Sequence, residues 1–112
     1  MSTFSEKGLL GELEQLVLLA VIRLEPDAYA VSIRDEIARQ TGIALGRGTV
    51  YVTLDRLDRK KYLTSAFSDP TPERGGKAKR CFRMTAAGRR ALAAAEQALA
   101  RMRRAPAARG SR

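Results

Sequence analysis

The chain has 112 residues, of which 45% are hydrophobic and 29% are charged, so it can fold around one hydrophobic core and is too short for two. Its formal charge of +9 is unevenly distributed, because residues 1–45 carry a net charge of −3 and residues 46–112 carry +12. Such an excess of positive charge indicates an anionic partner, and nucleic acid is favoured over a membrane surface. A charged surface that only contacts solvent would have the same composition.

The residue types that support most hydrolytic and metal-dependent chemistry are scarce. The sequence has no His and a single cysteine, Cys81, so it has no candidate for an internal disulfide, a metal-ligand cluster or a His general base. The apolar run over residues 16–22 is well short of the ~20 residues that a membrane span needs, and it does not resemble a secretory signal. We therefore expect a cytoplasmic protein without cofactors or catalytic activity.

The first predicted helix follows a polar arm over residues 1–8. It covers residues 9–24 and ends where Glu-Pro-Asp begins. Apolar residues, Leu13 among them, lie on nearly all sides of it. This pattern is typical of a helix that is buried against its own domain on one side and against a second subunit on another.

The second predicted helix covers residues 30–41. Ile33 and Ile37 recur at helical spacing and are predicted to point inward, and Gly42 is placed for a left-handed C-cap. The opposite side is polar and is predicted to face solvent; it consists of Arg34, Asp35 and Glu36.

The third predicted helix begins at Gly48 or Thr49, ends near Lys61 and has two contrasting faces. Val50, Leu54 and Leu57 fall at positions i, i+4 and i+7 and form its buried stripe. The other face is polar and basic, with two acidic residues close to its arginines. Its residues are Gly48, Val52, Asp55, Arg56 and Arg59.

A two-stranded hairpin follows, because residues 63–67 and 80–84 are short, β-favouring runs on either side of a Pro/Gly-rich stretch. Phe67 and Phe82 are predicted to form the core of this hairpin. The connecting tip is rich in long cationic side chains, which suit phosphates or a minor groove. The tip cations are Arg74, Lys77, Lys79 and Arg80.

The last predicted helix begins after Thr85, a candidate N-cap, and covers residues 86–104. Small and apolar residues recur on it four and three positions apart, which indicates a short heptad seam for a second subunit. A lone amphipathic helix that folds back on its own domain would have the same pattern. The seam residues are Gly88, Leu92, Ala95, Leu99 and Met102. Residues 105–112 are predicted to be disordered.

This order of elements predicts a mainly α fold with a small β-hairpin: a winged helix-turn-helix domain over residues 9–84, and a dimerisation helix over residues 85–104. In that plan the outer face of the third helix meets DNA and the hairpin is the wing. Thr49 is also a candidate N-cap, and Tyr51 a candidate for half-buried packing. The predicted DNA contacts are Thr49, Tyr51, Val52, Arg56 and Arg59 on the helix and Arg74, Lys77 and Lys79 on the wing.

Three motifs in order resemble the PadR family. Residues 48–51 (Gly-Thr-Val-Tyr), followed by residues 54–57 (Leu-Asp-Arg-Leu), resemble its recognition helix. Residues 29–33 resemble the opening of its second helix, and residues 84–88 (Met-Thr-Ala-Ala-Gly) the approach to its last helix. The resemblance implies a homodimer that binds a palindromic promoter site and represses its own or a neighbouring promoter. It also implies that a small molecule releases the repressor from DNA.

Two departures from the family pattern stand out. Val52 occupies a position where the family usually has proline, and residues 59–63 (Arg-Lys-Lys-Tyr-Leu) replace a Gly-Leu-Ile turn. A rival hypothesis is a winged helix that binds RNA or an acidic protein. RNA recognition usually needs exposed aromatic side chains, for which Tyr51 and Tyr62 are the candidates. A third hypothesis is a sensor that only binds an effector.

Overall fold

The structure, a computed structural model, describes residues 8–68 and 78–106 of the chain. The predicted tip residues Arg74 and Lys77, and most of the predicted arm and tail, lie outside the described residues. The elements follow in the predicted order. They are α1 (Glu12–Leu24), α2 (Ala30–Thr41), α3 (Arg47–Arg59), β1 (Leu63–Phe67), β2 (Arg80–Met84) and α4 (Ala86–Arg103).

Local hydrogen bonds account for most of the helix ends. Helix α1 begins at Glu12, three residues later than predicted, because the Gly11 amide donates to Glu14 Oε1 at 3.0 Å. Helix α2 has the predicted bounds: the Tyr29 amide donates to Ser32 Oγ at 2.9 Å, and Gly42 ends the helix with a φ of 78°. A positive φ of this kind is the conformation that glycine adopts at least cost.

Helix α3 is displaced slightly towards the N-terminus relative to the prediction. It begins at Arg47 after the N-cap Gly46 and ends at Arg59, with Lys60 as its C-cap. Lys61 then takes a φ of 67°, the left-handed conformation, so that the chain turns into β1. A residue with a Cβ is strained in this conformation.

The hairpin has the predicted strands, which pair antiparallel with Leu63 opposite Met84 and Phe67 opposite Arg80. The segment before α2 lies along the other edge of β2. There Tyr29 forms an isolated bridge with Cys81, and the Phe82 amide donates to the Ala28 carbonyl at 2.8 Å. The start of α2 is thereby fixed to the base of the wing.

The core lies where α1, α2, α3 and the hairpin meet. The predicted stripe of α3 is fully buried, and Phe82 and Leu18 are fully buried with it. Tyr62, considered as an exposed aromatic, is instead buried in this core. The other buried apolar residues contributed by α1 and α2 include Val17, Ala20, Val21, Ile33 and Ile37.

The prediction that Phe67 belongs to the hairpin core is wrong, because its side chain is 72% exposed. Phe67 is the last residue of β1 and lies opposite Arg80, two residues beyond the pair formed by Ser65 and the buried Phe82. The helical core does not extend that far along the hairpin. Strand alternation placed Phe67 on the correct face but could not show where the core ends.

The prediction that Glu36 faces solvent is also wrong, since the residue is 5% exposed. Its carboxylate accepts a hydrogen bond from Arg23 Nε at 2.6 Å and is also paired with Arg39. Gln40 Nε2 donates to the same carboxylate at 3.1 Å. A buried carboxylate is tolerated when its oxygens are satisfied in this way.

Helix α4 begins as predicted, with Thr85 Oγ1 accepting from the Gly88 amide at 2.9 Å. Gly88 does not belong to a seam for a second subunit: it is buried against the backbone of Tyr62 in its own chain. Leu92 and Ala95 also pack in this chain's core, whereas Leu99 is 40% and Met102 83% exposed. The helix therefore has a packed first half and an uncovered second half.

Candidate nucleic-acid interface

The outer face of α3 is accessible, as the sequence predicted. Thr49, Val52, Arg56 and Arg59 are exposed, and Val52 retains 55% of its accessible surface. The N-cap of the helix is Gly46, so Thr49 is not used for that purpose. Tyr51, whose predicted place was uncertain, is 44% exposed and borders the same face.

Arg80 lies between the wing and α3, which the sequence did not predict. Its Nη1 is 3.0 Å from Asp55 Oδ1 and its Nη2 is 2.9 Å from Asp58 Oδ2. Its Nε donates to Ser65 Oγ at 3.1 Å, and its guanidinium lies 4.8 Å from the centre of the Phe82 ring. Arg80 is therefore not a free cation of the wing tip but a bridge from the hairpin to the recognition helix.

These ion pairs decide which charges α3 presents. Asp55 and Asp58 lie close to Arg56 in the sequence, but both carboxylates pair with Arg80. Within the described residues, neither Arg56 nor Arg59 forms an ion pair. Their long, exposed side chains can thus extend towards a groove or a phosphate.

Lys79 is the predicted wing contact that the structure describes. Its Nζ lies 3.6 Å from the centre of the Tyr29 ring, in cation–π geometry, and it makes no ion pair within the described part of the chain. Beside it a cleft of about 530 Å³ opens between the start of α2, α3 and the wing. The apolar side chains that line this cleft include Tyr29, Val31, Tyr51 and Phe67.

The far end of α3 is held against the start of α1 by a nearly buried ion pair. Lys60 Nζ lies 2.8 Å from Glu14 Oε2, and the Glu14 side chain is 8% exposed. Burial by itself would raise the pKa of Glu14. The hydrogen bonds from Lys60 and the Gly11 amide, with the charges of Lys60 and Arg56, outweigh burial and hold this pKa below its ordinary value.

A second carboxylate, Glu36, connects α1 with α2, the first helix of the helix-turn-helix pair. The hydrogen bond from Arg23 holds the pKa of Glu36 below its ordinary value. Desolvation alone would raise this pKa, and the hydrogen bonds from Arg39 and Gln40 lower it further. The two carboxylates therefore fix α2 and α3 against the same helix, α1.

The residues predicted for dimerisation fall into two groups. Leu92 and Ala95 are buried in this chain's own core, and Leu13 is partly buried against it. Leu99 and Met102 remain exposed on the second half of α4. The structure adds exposed apolar residues outside the predicted dimerisation set, because helical spacing does not say which side of an all-apolar helix is covered. In and before α1 these are Leu9, Leu19 and Ile22.

Two kinds of site are not found in the part of the chain that the structure describes. No group of three or more His, Cys, Asp or Glu side chains is placed to hold a metal ion. Of the helices in residues 8–68 and 78–106, none combines the length and the apolar character that crossing a bilayer requires.

Three helices, a hairpin beside the third of them and an exposed basic face on that helix define a winged helix-turn-helix DNA-binding protein. The family model of the PadR-like transcriptional regulators matches residues 18–94. The chain belongs to this family. Its members are transcriptional regulators and not enzymes, which confirms the absence of catalytic activity expected from the sequence.

Solved structures agree with this assignment. A PadR family transcriptional regulator from Eggerthella lenta has 27% sequence identity and a TM-score of 0.65, over 81% of this chain and 79% of that chain. A PadR-like transcription factor from Bacteroides fragilis has 22% identity and a TM-score of 0.68, over 80% and 82% of the two chains. A PadR-like regulator from Bacillus cereus, with 17% identity and a TM-score of 0.66 over 80% and 82%, shares the fold. None of the curated proteins compared with this chain matches it.

Proposed function

We propose that the protein is a homodimeric repressor that binds a palindromic site in its own or a neighbouring promoter. The observation that carries this proposal is the exposed face of α3, where Thr49, Val52, Arg56 and Arg59 are accessible together. Arginine side chains can donate two hydrogen bonds to guanine, and valine can contact a thymine methyl group. Tyr51 on α3 and Lys79 on the wing extend this surface, and Arg74 and Lys77 are proposed to continue it along the wing.

The uncovered apolar surface supports the dimer. Leu99 and Met102 on α4 and Leu19 and Ile22 on α1 are exposed, and apolar surface of this kind is a common mark of an interface. The predicted residues Leu13, Leu92 and Ala95 would support this interface from within the protomer. Two recognition helices in such a dimer would lie about one DNA turn, or ~34 Å, apart and read two half-sites.

A small-molecule effector is part of the proposal. The cleft between α2, α3 and the wing has a volume of about 530 Å³, within the range of ligand pockets. It borders Tyr51, so a compound bound there would occupy space beside the DNA-reading face. Such a compound would weaken DNA binding without a conformational change over a long distance.

Selection of bound duplexes from a random DNA pool tests the proposed function. The expected result is an enriched palindrome whose half-sites are about one helical turn apart, with an affinity that falls steeply as salt is added. Equal affinity for all duplexes would contradict a sequence-specific regulator. An enriched site without two-fold symmetry would contradict the dimeric mode of binding but not specific recognition.

RNA binding is a second candidate, and one observation favours it. Tyr51 and Phe67 are exposed beside Lys79, so two aromatic rings and a cation lie on one surface. Exposed rings of this kind can stack on unpaired bases. Competition between the selected duplex and a structured RNA of the same length distinguishes the candidates, because a regulator of promoters should retain the duplex.

A further inference from the structure

The recognition helix carries two acidic residues near its DNA-reading surface, Asp55 on the outer face and Asp58 on its flank. The side chains of Asp55 and Asp58 are 49% and 35% exposed, and they flank Arg56 and precede Arg59 along the helix. An exposed carboxylate next to DNA is unfavourable, because like charges placed opposite each other across an interface raise the free energy of the complex. The charge of these two residues therefore matters for binding.

Both carboxylates are paired with the same side chain. Arg80 extends from β2 and places one terminal nitrogen on each, at 3.0 Å from Asp55 and 2.9 Å from Asp58. Its third nitrogen, Nε, donates to Ser65 Oγ at 3.1 Å. With each of its three nitrogens bonded within the chain, the guanidinium is held against α3 and β1.

We propose that Arg80 is a positioning residue for DNA binding that acts by partly neutralising Asp55 and Asp58, since its positive charge offsets one of their two negative charges, and that it makes no DNA contact of its own. This proposal rests on the proposed function. In this arrangement the arginine offsets the negative charge of the acidic pair, and the duplex meets Arg56 and Arg59 without the full repulsion of two carboxylates. Arg80, a basic residue of the wing, thus affects DNA binding through its ion pairs with α3.

Four variants test the proposal: Arg80→Gln, the double variant Asp55→Asn/Asp58→Asn, the triple variant that combines them, and Arg83→Gln as the matched control. Arg83 is the exposed arginine on the opposite face of the same strand, so its loss removes the same charge from β2 without touching α3. Affinity is measured across a salt series on the selected duplex and on a 30-base-pair duplex of random sequence. Circular dichroism and thermal unfolding show that each variant is folded.

If neutralisation is the role of Arg80, Arg80→Gln weakens DNA binding by about tenfold or more, whereas Arg83→Gln stays within about twofold of the wild type. The double variant binds at least as tightly as the wild type. The triple variant recovers to within about threefold of the wild type, because the carboxylates that needed neutralisation are gone. A plot of the logarithm of the DNA-binding constant against the logarithm of the salt concentration has the same slope for Arg80→Gln as for the wild type.

Three results would overturn the proposal. Unchanged DNA affinity in Arg80→Gln would show that Arg80 has no role in DNA binding. A slope of log K against log salt that is shallower by about 0.9 in this variant would show that Arg80 binds a phosphate directly. A double or triple variant as weak as Arg80→Gln would show that the ion pairs act only as a structural clamp. If the wild type prefers no sequence, the proposed function fails, while the random duplex still decides the role of Arg80.

Discussion

Gly88 lies so close to the backbone of Tyr62 that a methyl group on its Cα would be 2.2 Å from the Tyr62 carbonyl oxygen. That oxygen also accepts a hydrogen bond from the Thr85 amide at 3.1 Å, and Thr85 Oγ1 donates to the Lys61 carbonyl at 2.7 Å. The first turn of α4 is therefore docked on the turn between α3 and β1. This contact explains why a Thr-x-x-Gly sequence, residues 85–88, forms the N-cap and first turn of the helix.

Gly88→Ala is expected to lower the free energy of unfolding by about 3 kcal/mol, because the clash is with a hydrogen-bonded backbone that has little room to move. Urea unfolding followed by circular dichroism measures the change. Gly48→Ala is the control: nothing lies within 4 Å of its added methyl group, and alanine is the better helix former, so stability should stay the same or rise. Similar losses in both variants would contradict the close contact.

Lys61→Gly should stabilise the protein by about 0.5–1 kcal/mol, because it relieves a left-handed backbone at a φ of 67°. The gain is limited, since glycine also increases the entropy of the unfolded chain. Lys61→Ala keeps the Cβ and should give no gain. If the alanine variant is as stable as the glycine variant, backbone strain is not the cause.

Stability should fall below pH 4.5, the ordinary pKa of a Glu side chain, because the pKa of Glu14 is lowered in the folded state. A lowered pKa contributes stability above the unfolded-state value, and this contribution disappears as the pH falls through the folded-state value. Glu36, whose pKa is also lowered, adds to the same trend. Urea unfolding at pH 7 and at pH 3.5 measures the loss.

Glu14→Gln is the variant that assigns part of this pH dependence to the pair with Lys60. It should cost about 1.5–3 kcal/mol at pH 7, the usual value of a hydrogen bond to a charged group, and the cost should shrink at low pH. Glu12→Gln, in the same turn and exposed, is the matched control. An undiminished pH dependence in Glu14→Gln would argue against the lowered pKa.

Leu99→Glu/Met102→Glu should convert the proposed dimer into a folded monomer, because both side chains are exposed in the protomer and charge would be buried in the interface. Light scattering coupled to gel filtration gives the mass, and circular dichroism should be unchanged. Gln97→Glu, on the opposite side of α4, should remain dimeric. A dimer that survives the double change would place the interface elsewhere, with Leu19 and Ile22 as the next candidates.

Arg56→Ala is expected to weaken binding to the selected duplex by about 1–3 kcal/mol and to relax selection at one base position in each half-site. Arg90→Ala removes an exposed arginine from α4 and serves as the control for net charge. A uniform loss on all duplexes with a smaller salt slope would instead make Arg56 a phosphate contact.

The sequence predicted the element order, the bounds of α2, both strands and two caps, Gly42 and Thr85. These features depend on residues close together in the chain: the spacing of apolar side chains, the φ that glycine permits and the hydroxyl that accepts from an amide three residues on. The exposed face of α3 was predictable for the same reason, since Val50, Leu54 and Leu57 fix its orientation. The three motifs that resemble the PadR family lie within residues 18–94, which the family model matches.

Tertiary structure decided which polar and aromatic side chains are covered. Glu36 is buried because Arg23 reaches it from α1, Arg80 turns inward because Asp55 and Asp58 lie across from it, and Phe67 is exposed because the core ends before it. For Glu36 and Arg80 the partners lie 13 or more positions away in the chain. Periodicity within one element tells which face points inward, but not how far the neighbouring element extends or which charge it presents.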